Sequence, residues 1–471
     1  MQQLEATRAL KVGNSEGSIR NMTFRLAPYS KQNICFLCFL FLIYFGCPTT
    51  LSAQPLSRIE IPSSFNPVGS GARALGMGGA FIAVADDATA ASWNPGGLVQ
   101  LERPEVSVVG AYFHRDEDLD FGTNPEGNGS QSVSKSRLNY MSAAYPFSLW
   151  GINMVVSANY QNLYDLTREW NFVLKQSSDA LNFTEDIDYD QDGALSAWGL
   201  AYSVQIMPRL SFGVTFNFWE DGIYSNEWNQ EVIQSGSGTF AGNSFTFESR
   251  SKDEFSFSGF NINLGILWNV TGGLSFGAVL KTPFEADIRH KTSFRTNIRF
   301  PDFPDNDSSF SNRSTLSEDL DMPMSYGVGL SYRFSDSFTA SFDVYRTEWD
   351  DFELKDSKGN KISPISGLPM SESDVDPTYQ VRMGAEYLFI EPQYVIPLRG
   401  GVFYDPAPAE RSPDDFYGFS LGSGIGIGRF IFDIAYQYRF GNNVGSSILQ
   451  DSDFSEDVKE HTVYASIIFH F

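Results

Sequence analysis

Ten charged residues of this chain sit on the polar side of segments that alternate polar with apolar: Lys281, Glu285, Asp287, Arg289, Arg333, Asp343, Arg382, Glu386, Asp433 and Arg439. Acids and bases sharing one face pair with one another, and an arginine among them can also grip a carboxylate through two parallel hydrogen bonds. Arg333, Arg382 and Arg439 are therefore read as partners for an anionic head group. Other chemistry is poorly supplied. Four histidines (His114, His290, His461 and His470) are few and scattered, and acid–base catalysis needs one within hydrogen-bond reach of a reacting group. Alternation sends His114, His290 and His461 to the apolar face and only His470 to the polar one. "DYDQDG" sets Asp188, Asp190, Asp192 and Gly193 at calcium-loop spacing, but Gly199 occupies the twelfth position, where a bidentate Glu belongs. It reads as an acidic loop. "GSGARA" (69–74) has the outline of a dinucleotide loop without the parallel βαβ unit around it. No catalytic residue, metal or cofactor is expected.

What positions these charges is a period of two. "SFGVTFNFW" puts Phe212, Val214, Phe216 and Phe218 on one face, and "MSYGVGLSYRF" and "RFIFDIAYQYRF" repeat the pattern. Strands of soluble domains average about five or six residues. These run to about ten or twelve, the length that crosses a bilayer at a tilt. Fourteen such segments begin near residues 105, 137, 151, 195, 209, 255, 273, 323, 337, 378, 395, 416, 429 and 461. Short turns at 146–150, 207–208, 269–272, 335–336, 390–393 and 427–428 alternate with long polar connections at 115–136, 161–194, 220–254, 294–322, 349–377, 405–415 and 441–460. Antiparallel strands with tight turns on one side and long loops on the other require that order. The expected fold is all-β: a transmembrane antiparallel β-barrel of about fourteen strands over 105–471, with "TVYASIIFHF" as its last amphipathic strand.

The three cysteines, Cys35, Cys38 and Cys47, lie in one apolar segment preceded by Arg25 and Lys31 and followed by "LSAQ". A basic region, a short apolar core and small residues before a cut after Ala53 describe a signal peptide over 1–53, with Met22 the better initiator. The apolar run is too short to span a bilayer. A net charge of −24 argues against a nucleic-acid partner.

Residues 54–104 differ in composition from the strands after them. "GSGARALGMGGAFIAVADDATAASWNPGGL" (69–98) is rich in Gly and Ala, which lets backbones approach closely. Asp86 is placed to cap a helix over 87–93, and Pro95 ends it. A barrel of fourteen strands is wider than its own side chains can fill, so this segment reads as an N-terminal plug, or hatch. The strand from about residue 416 turns Gly418, Ser420, Gly422, Gly424 and Gly426 inward, a bare strip suited to a closely packed plug or to an alkyl chain.

The Gly/Ala stretch, the fourteen-strand pattern and "LSFGAVLKTPFEADI" (274–288) resemble the FadL/OmpP1/TodX family of outer-membrane transporters for long-chain fatty acids and hydrocarbons. The resemblance spans nearly the whole chain beyond the signal. Its hatch motif matches Asp86, Asp87, Asn94, Pro95, Gly96 and Gly97, with Gly96 standing where alanine is common. It implies an integral protein of the bacterial outer membrane, among lipids and lipopolysaccharide, that takes up hydrophobic compounds passively. Long-chain fatty acids are the leading cargo. Such families also hold barrels that serve protein secretion, so a structural or shuttle barrel with a secreted-protein partner is the alternative.

Overall fold

A computed structural model describes residues 59, 61–63, 69–223, 225–449 and 453–471. The expected signal segment, with Met22 and the cut after Ala53, lies outside them. Among the described residues the first ten strands are β1 (Glu105–Phe121), β2 (Gly129–Leu149), β3 (Ile152–Asp165), β4 (Arg168–Ser177), β5 (Leu181–Met207), β6 (Leu210–Trp219), β7 (Glu227–Phe240), β8 (Asn243–Asn269), β9 (Leu274–Lys281) and β10 (Phe284–Arg299). Ten more complete the set: β11 (Ser308–Met322), β12 (Ser325–Ser335), β13 (Phe338–Thr347), β14 (Glu353–Lys355), β15 (Lys361–Ile362), β16 (Thr378–Ile390), β17 (Tyr394–Tyr404), β18 (Tyr417–Ile427), β19 (Phe430–Val444) and β20 (Phe454–His470).

Fourteen of them close a ring. Each pairs antiparallel with the next in the order β1, β2, β3, β5, β6, β8, β9, β12, β13, β16, β17, β18, β19, β20, and β20 returns to β1. Closure leaves the ring no edge strand to mispair. The six short turns stand where the sequence places them. At the first, Trp150 and Gly151 both take positive φ (53° and 77°), the conformation a two-residue hairpin needs.

Several of the long connections are not the polar loops expected from sequence but continue the barrel outward as strands. Among the described residues 405–415 holds no named strand, and 349–377 only the short β14 and β15. β4 pairs with the first half of β5, β7 fills the space between β5 and β8, and β10 and β11 form a hairpin on β8. β8 shows why they were hidden. Its alternation is unbroken, yet the apolar face changes sides near Gly259. Below that point Phe260, Ile266 and Trp268 are exposed on the outside, while Asn261, Asn263 and Gly265 are buried inside. Above it Glu248 and Arg250 are exposed, while Phe245, Phe255 and Phe257 are buried. The outside meets lipid below and water above, and the interior takes the opposite character. β5 behaves alike: Asp188, Asp190 and Asp192 are exposed along an extended strand, not wound into a loop.

A second correction lies at Thr282 and Pro283, which separate β9 from β10. Inward residues are Gly277 and Val279 on β9, but Ala286, Ile288 and His290 on β10. The strand break skips one step of the alternation. Glu285, Asp287 and Arg289, expected inside, are therefore exposed, and His290, expected on the outer face, is fully buried.

Candidate functional site

Residues 69–101 lie within the ring, and their backbone is held by inward side chains from around the wall. Asp343 on β13 accepts the N–H groups of Phe81 (2.6 Å) and Ile82 (2.8 Å). Ser341 donates to Ala80 O, Thr215 to Ala91 O and Ser211 to Gly96 O. Ser420 donates to Gly76 O and accepts from Gly78 N–H. Each bond satisfies a backbone group that burial would otherwise leave unpaired. Within the glycine strip on β18 only Ser420 and Gly422 receive the segment: a Cβ on Gly422 would stand 3.0 Å from Gly76 Cα, whereas one on Gly418 would meet Phe403 and one on Gly424 Asp433.

The four residues from Asn94 to Gly97 make a tight junction with the wall. The helix Ala90–Trp93 ends at Asn94, whose backbone is extended before Pro95. Asn94 Oδ1 accepts from Gly96 N–H, and its Nδ2 donates both to Ile82 O within the segment and to Ile266 O on β8. Gly213 and Gly265 are register partners on β6 and β8. A Cβ on Gly213 would come within 2.2 Å of Pro95, and one on Gly96 within 2.8 Å of Gly265 O. Glycine at position 96 follows from that approach of two backbones.

Asp86 does not cap the helix. The helix N-terminus at Thr89 has no side-chain cap; Asp87 accepts from the N–H and hydroxyl of Thr89, while Asp86 binds Arg73 Nη1 at 2.5 Å. Arg73 also grips Glu386 on β16 through Nε (3.1 Å) and Nη2 (2.9 Å). Glu386 in turn holds Arg399, which holds Asp433. This chain of charges borders a cavity of about 410 Å³ that also meets Glu105 and His470 near the chain end. His470 faces inward there, 3.2 Å from Glu105.

Farther from that end, Arg115, Arg137, Arg382 and Arg439 line a second cavity of about 130 Å³ with Asp165, Asp405 and Glu460. Arg382 donates to Gly78 O and stands 3.7 Å from Asp405, whose other oxygen is 3.3 Å from Arg439 Nε. Both guanidinium groups lie over aromatic rings, Arg382 on Phe403 and Arg439 on Phe416. Stacked, desolvated guanidinium keeps its charge and its edge donors. Leu163 lines this cavity and packs against an apolar cluster of the outer barrel that includes Trp219, Phe257, Trp349 and Phe352.

The structure therefore brings Arg382 and Arg439 together and sets Arg333 apart, exposed beside the short turn after β12. Lys281 lines a separate small cavity, and Asp343 anchors the segment. Sequence reasoning missed Arg73, Arg115, Arg137, Asp405 and Glu460. Arg115 and Glu460 were legible as continuations of β1 and β20 past the histidines. Asp405 falls one residue beyond a strand, where alternation says nothing.

The family model for "Outer membrane protein transport protein (OMPP1/FadL/TodX)" matches residues 65–446. Among solved structures the chain is similar to a Pseudomonas aeruginosa FadL homologue, at 16% identity over 86% of this chain and 98% of that one, with a TM-score of 0.57. It is also similar to the P. putida toluene transporter TodX, at 13% identity over 86% and 99% of the two chains, with a TM-score of 0.56. No curated protein matches it. With its closed fourteen-strand barrel, the chain belongs to the OMPP1/FadL/TodX family of outer-membrane transport proteins.

Proposed function

We propose that this barrel takes up hydrophobic compounds across the outer membrane by passive diffusion, with long-chain fatty acids as the cargo and the N-terminal segment as its hatch. The observation that carries this reading is a succession inside one lumen. The apolar cluster around Trp219, Trp349 and Phe352 abuts, through Leu163, the cavity edged by Arg382 and Arg439. An alkyl chain gains about 0.8 kcal/mol for each buried methylene, and the arginine edges offer charge-assisted hydrogen bonds to a carboxylate. Residues 69–101 stand between that cavity and the one at Arg73: Leu75 lines the first and Arg73 the second. No bond is made or broken in such transport, so no residue needs a catalytic role.

The test compares a long-chain fatty acid with its alcohol in Arg382→Met and Arg439→Met. Each change should weaken the acid by about 1.5–3 kcal/mol, the worth of a hydrogen bond to a charged group, and spare the alcohol. Equal losses for both ligands in both variants would remove the carboxylate from the reading and leave an uncharged cargo.

A further inference from the structure

Asp405 is an odd neighbour for a site that takes an anion. It is buried just past β17, and its N–H donates to Phe416 O. Its carboxylate stands between Arg382 and Arg439, with Gln380 donating to Oδ1. These contacts bring opposite charges together without completing the hydrogen bonding. The Nε–H groups of both arginines are buried without a hydrogen-bond acceptor, and so is that of Arg115 across the cavity. Arg115 has its own acid, Glu460 Oε2 at 3.6 Å, which likewise lacks a hydrogen-bond donor. Three arginines thus line one small cavity, each near a carboxylate that it does not hydrogen-bond through Nε.

A ligand carboxylate entering the cavity would gain charge-assisted hydrogen bonds from the guanidinium groups that line it. It would also bring a second negative charge beside Asp405, and like charges a few ångströms apart in a desolvated site repel strongly. A hydroxyl or an unfunctionalised chain meets no such penalty. We propose that Asp405 is the specificity-determining residue of this cavity: a resident counter-ion that competes with an anionic head group for Arg382 and Arg439. It holds carboxylate binding weak enough for release and leaves uncharged amphiphiles untouched. This rests on the cavity being the head-group site.

The test is Asp405→Asn in the full-length protein, reconstituted and shown to be folded by heat-modifiable migration. The substitution keeps the shape, the oxygen that Gln380 binds and the backbone bond to Phe416. Binding of a long-chain fatty acid should tighten by about tenfold or more, the scale of one charged hydrogen bond, while the matching alcohol changes less than about twofold. If Asp405→Asn does not insert, Asp405→Ser serves in its place. An unchanged or weakened acid overturns the proposal, and so does equal tightening of both ligands, which would mark a change of volume. The arginine variants separate the two readings. If Arg382→Met and Arg439→Met still discriminate acid from alcohol but removing Asp405 does nothing, the head-group site stands and the counter-ion falls. If neither set discriminates, both fall.

Discussion

Arg73 and Glu386 meet in a two-pronged ion pair that joins the N-terminal segment to the barrel wall. Each keeps a second partner on its own side: Asp86 for Arg73, and Arg399 for Glu386. Parting the two therefore strands neither charge, which lowers the penalty that normally attends breaking a buried pair. Glu386→Gln and Arg73→Met should each leave a folded barrel yet raise the leak of small polar solutes in liposome swelling. Deletion of residues 57–100 sets the upper limit of that leak. Tight vesicles from both point variants would show that the pair does not hold the segment.

The number and order of barrel strands were legible because lipid imposes one rule over ten residues or so: apolar out, polar in. Above the lipid that rule reverses, as β8 shows at Gly259, and a reading tuned to apolar-outward strands loses the outer halves of β5 and β8 and the whole of β4, β7 and β11, and it runs β9 straight on into β10. The charges suffered in proportion. Asp343, Arg382, Glu386, Asp433 and Arg439 sit on uninterrupted strands and are buried inside. Glu285, Asp287 and Arg289 come after a proline break that alternation cannot cross, and Arg333 has the right face at the wrong height. Partnerships such as Arg73 with Glu386, 313 positions apart in the chain, depend on how the segment folds back and leave no periodic trace.

The glycines at the junction around Asn94 make a steric prediction. A Cβ on Gly97 would lie 2.1 Å from Ala85 O, and one on Gly213 2.2 Å from Pro95, in both cases against backbone that cannot rotate away. Gly97→Ala and Gly213→Ala should each cost about 1–3 kcal/mol, the usual scale of overpacking, read as a lower thermal midpoint and a leakier barrel. Alanine variants as stable and as tight as the parent would mean that the junction at Asn94 is looser than these distances require.

His290 offers a dependence on pH outside the membrane belt. Burial draws its pKa down, but the hydrogen bonds and charges of Asp253 and Glu318 outweigh that and leave it raised to about 9. The ring also stacks on Phe255, with centroids 4.2 Å apart. A histidine whose folded pKa lies above its unfolded value of about 6.5 stabilises fully below the unfolded value and loses that contribution as pH rises through the folded one. The β10–β11 hairpin should therefore loosen between about pH 7 and pH 10, by up to about 3 kcal/mol. Limited proteolysis of the hairpin across that range reads the effect, and His290→Gln should flatten it. A parent protein whose cleavage rate ignores pH, at constant protease activity, would rule the histidine out.

The last prediction concerns the seam where the barrel closes. His114 on β1 and His461 on β20 are register partners, as are Tyr112 and Val463 two steps nearer the turns. The imidazoles of His114 and His461 stack with centroids 6.4 Å apart, and His461 also bonds the Tyr436 hydroxyl. Directly opposed residues of antiparallel strands have Cα atoms about 4.5–5.5 Å apart, within the range a disulfide accepts. All three native cysteines fall within residues 35–47, ahead of the barrel. His114→Cys with His461→Cys should therefore join under mild oxidant in the inserted protein, and Tyr112→Cys with Val463→Cys should do so with a short crosslinker. His114→Cys with Tyr326→Cys should not, because β12 pairs with β9 and β13, away from β1. Closure by any other pair of strands would change which strands neighbour one another, and a cysteine at position 114 would then find a partner elsewhere. A crosslink from position 114 or 112 to a strand other than β2 or β20, with none at the seam, would overturn the fourteen-strand count and the placement of every outer hairpin with it.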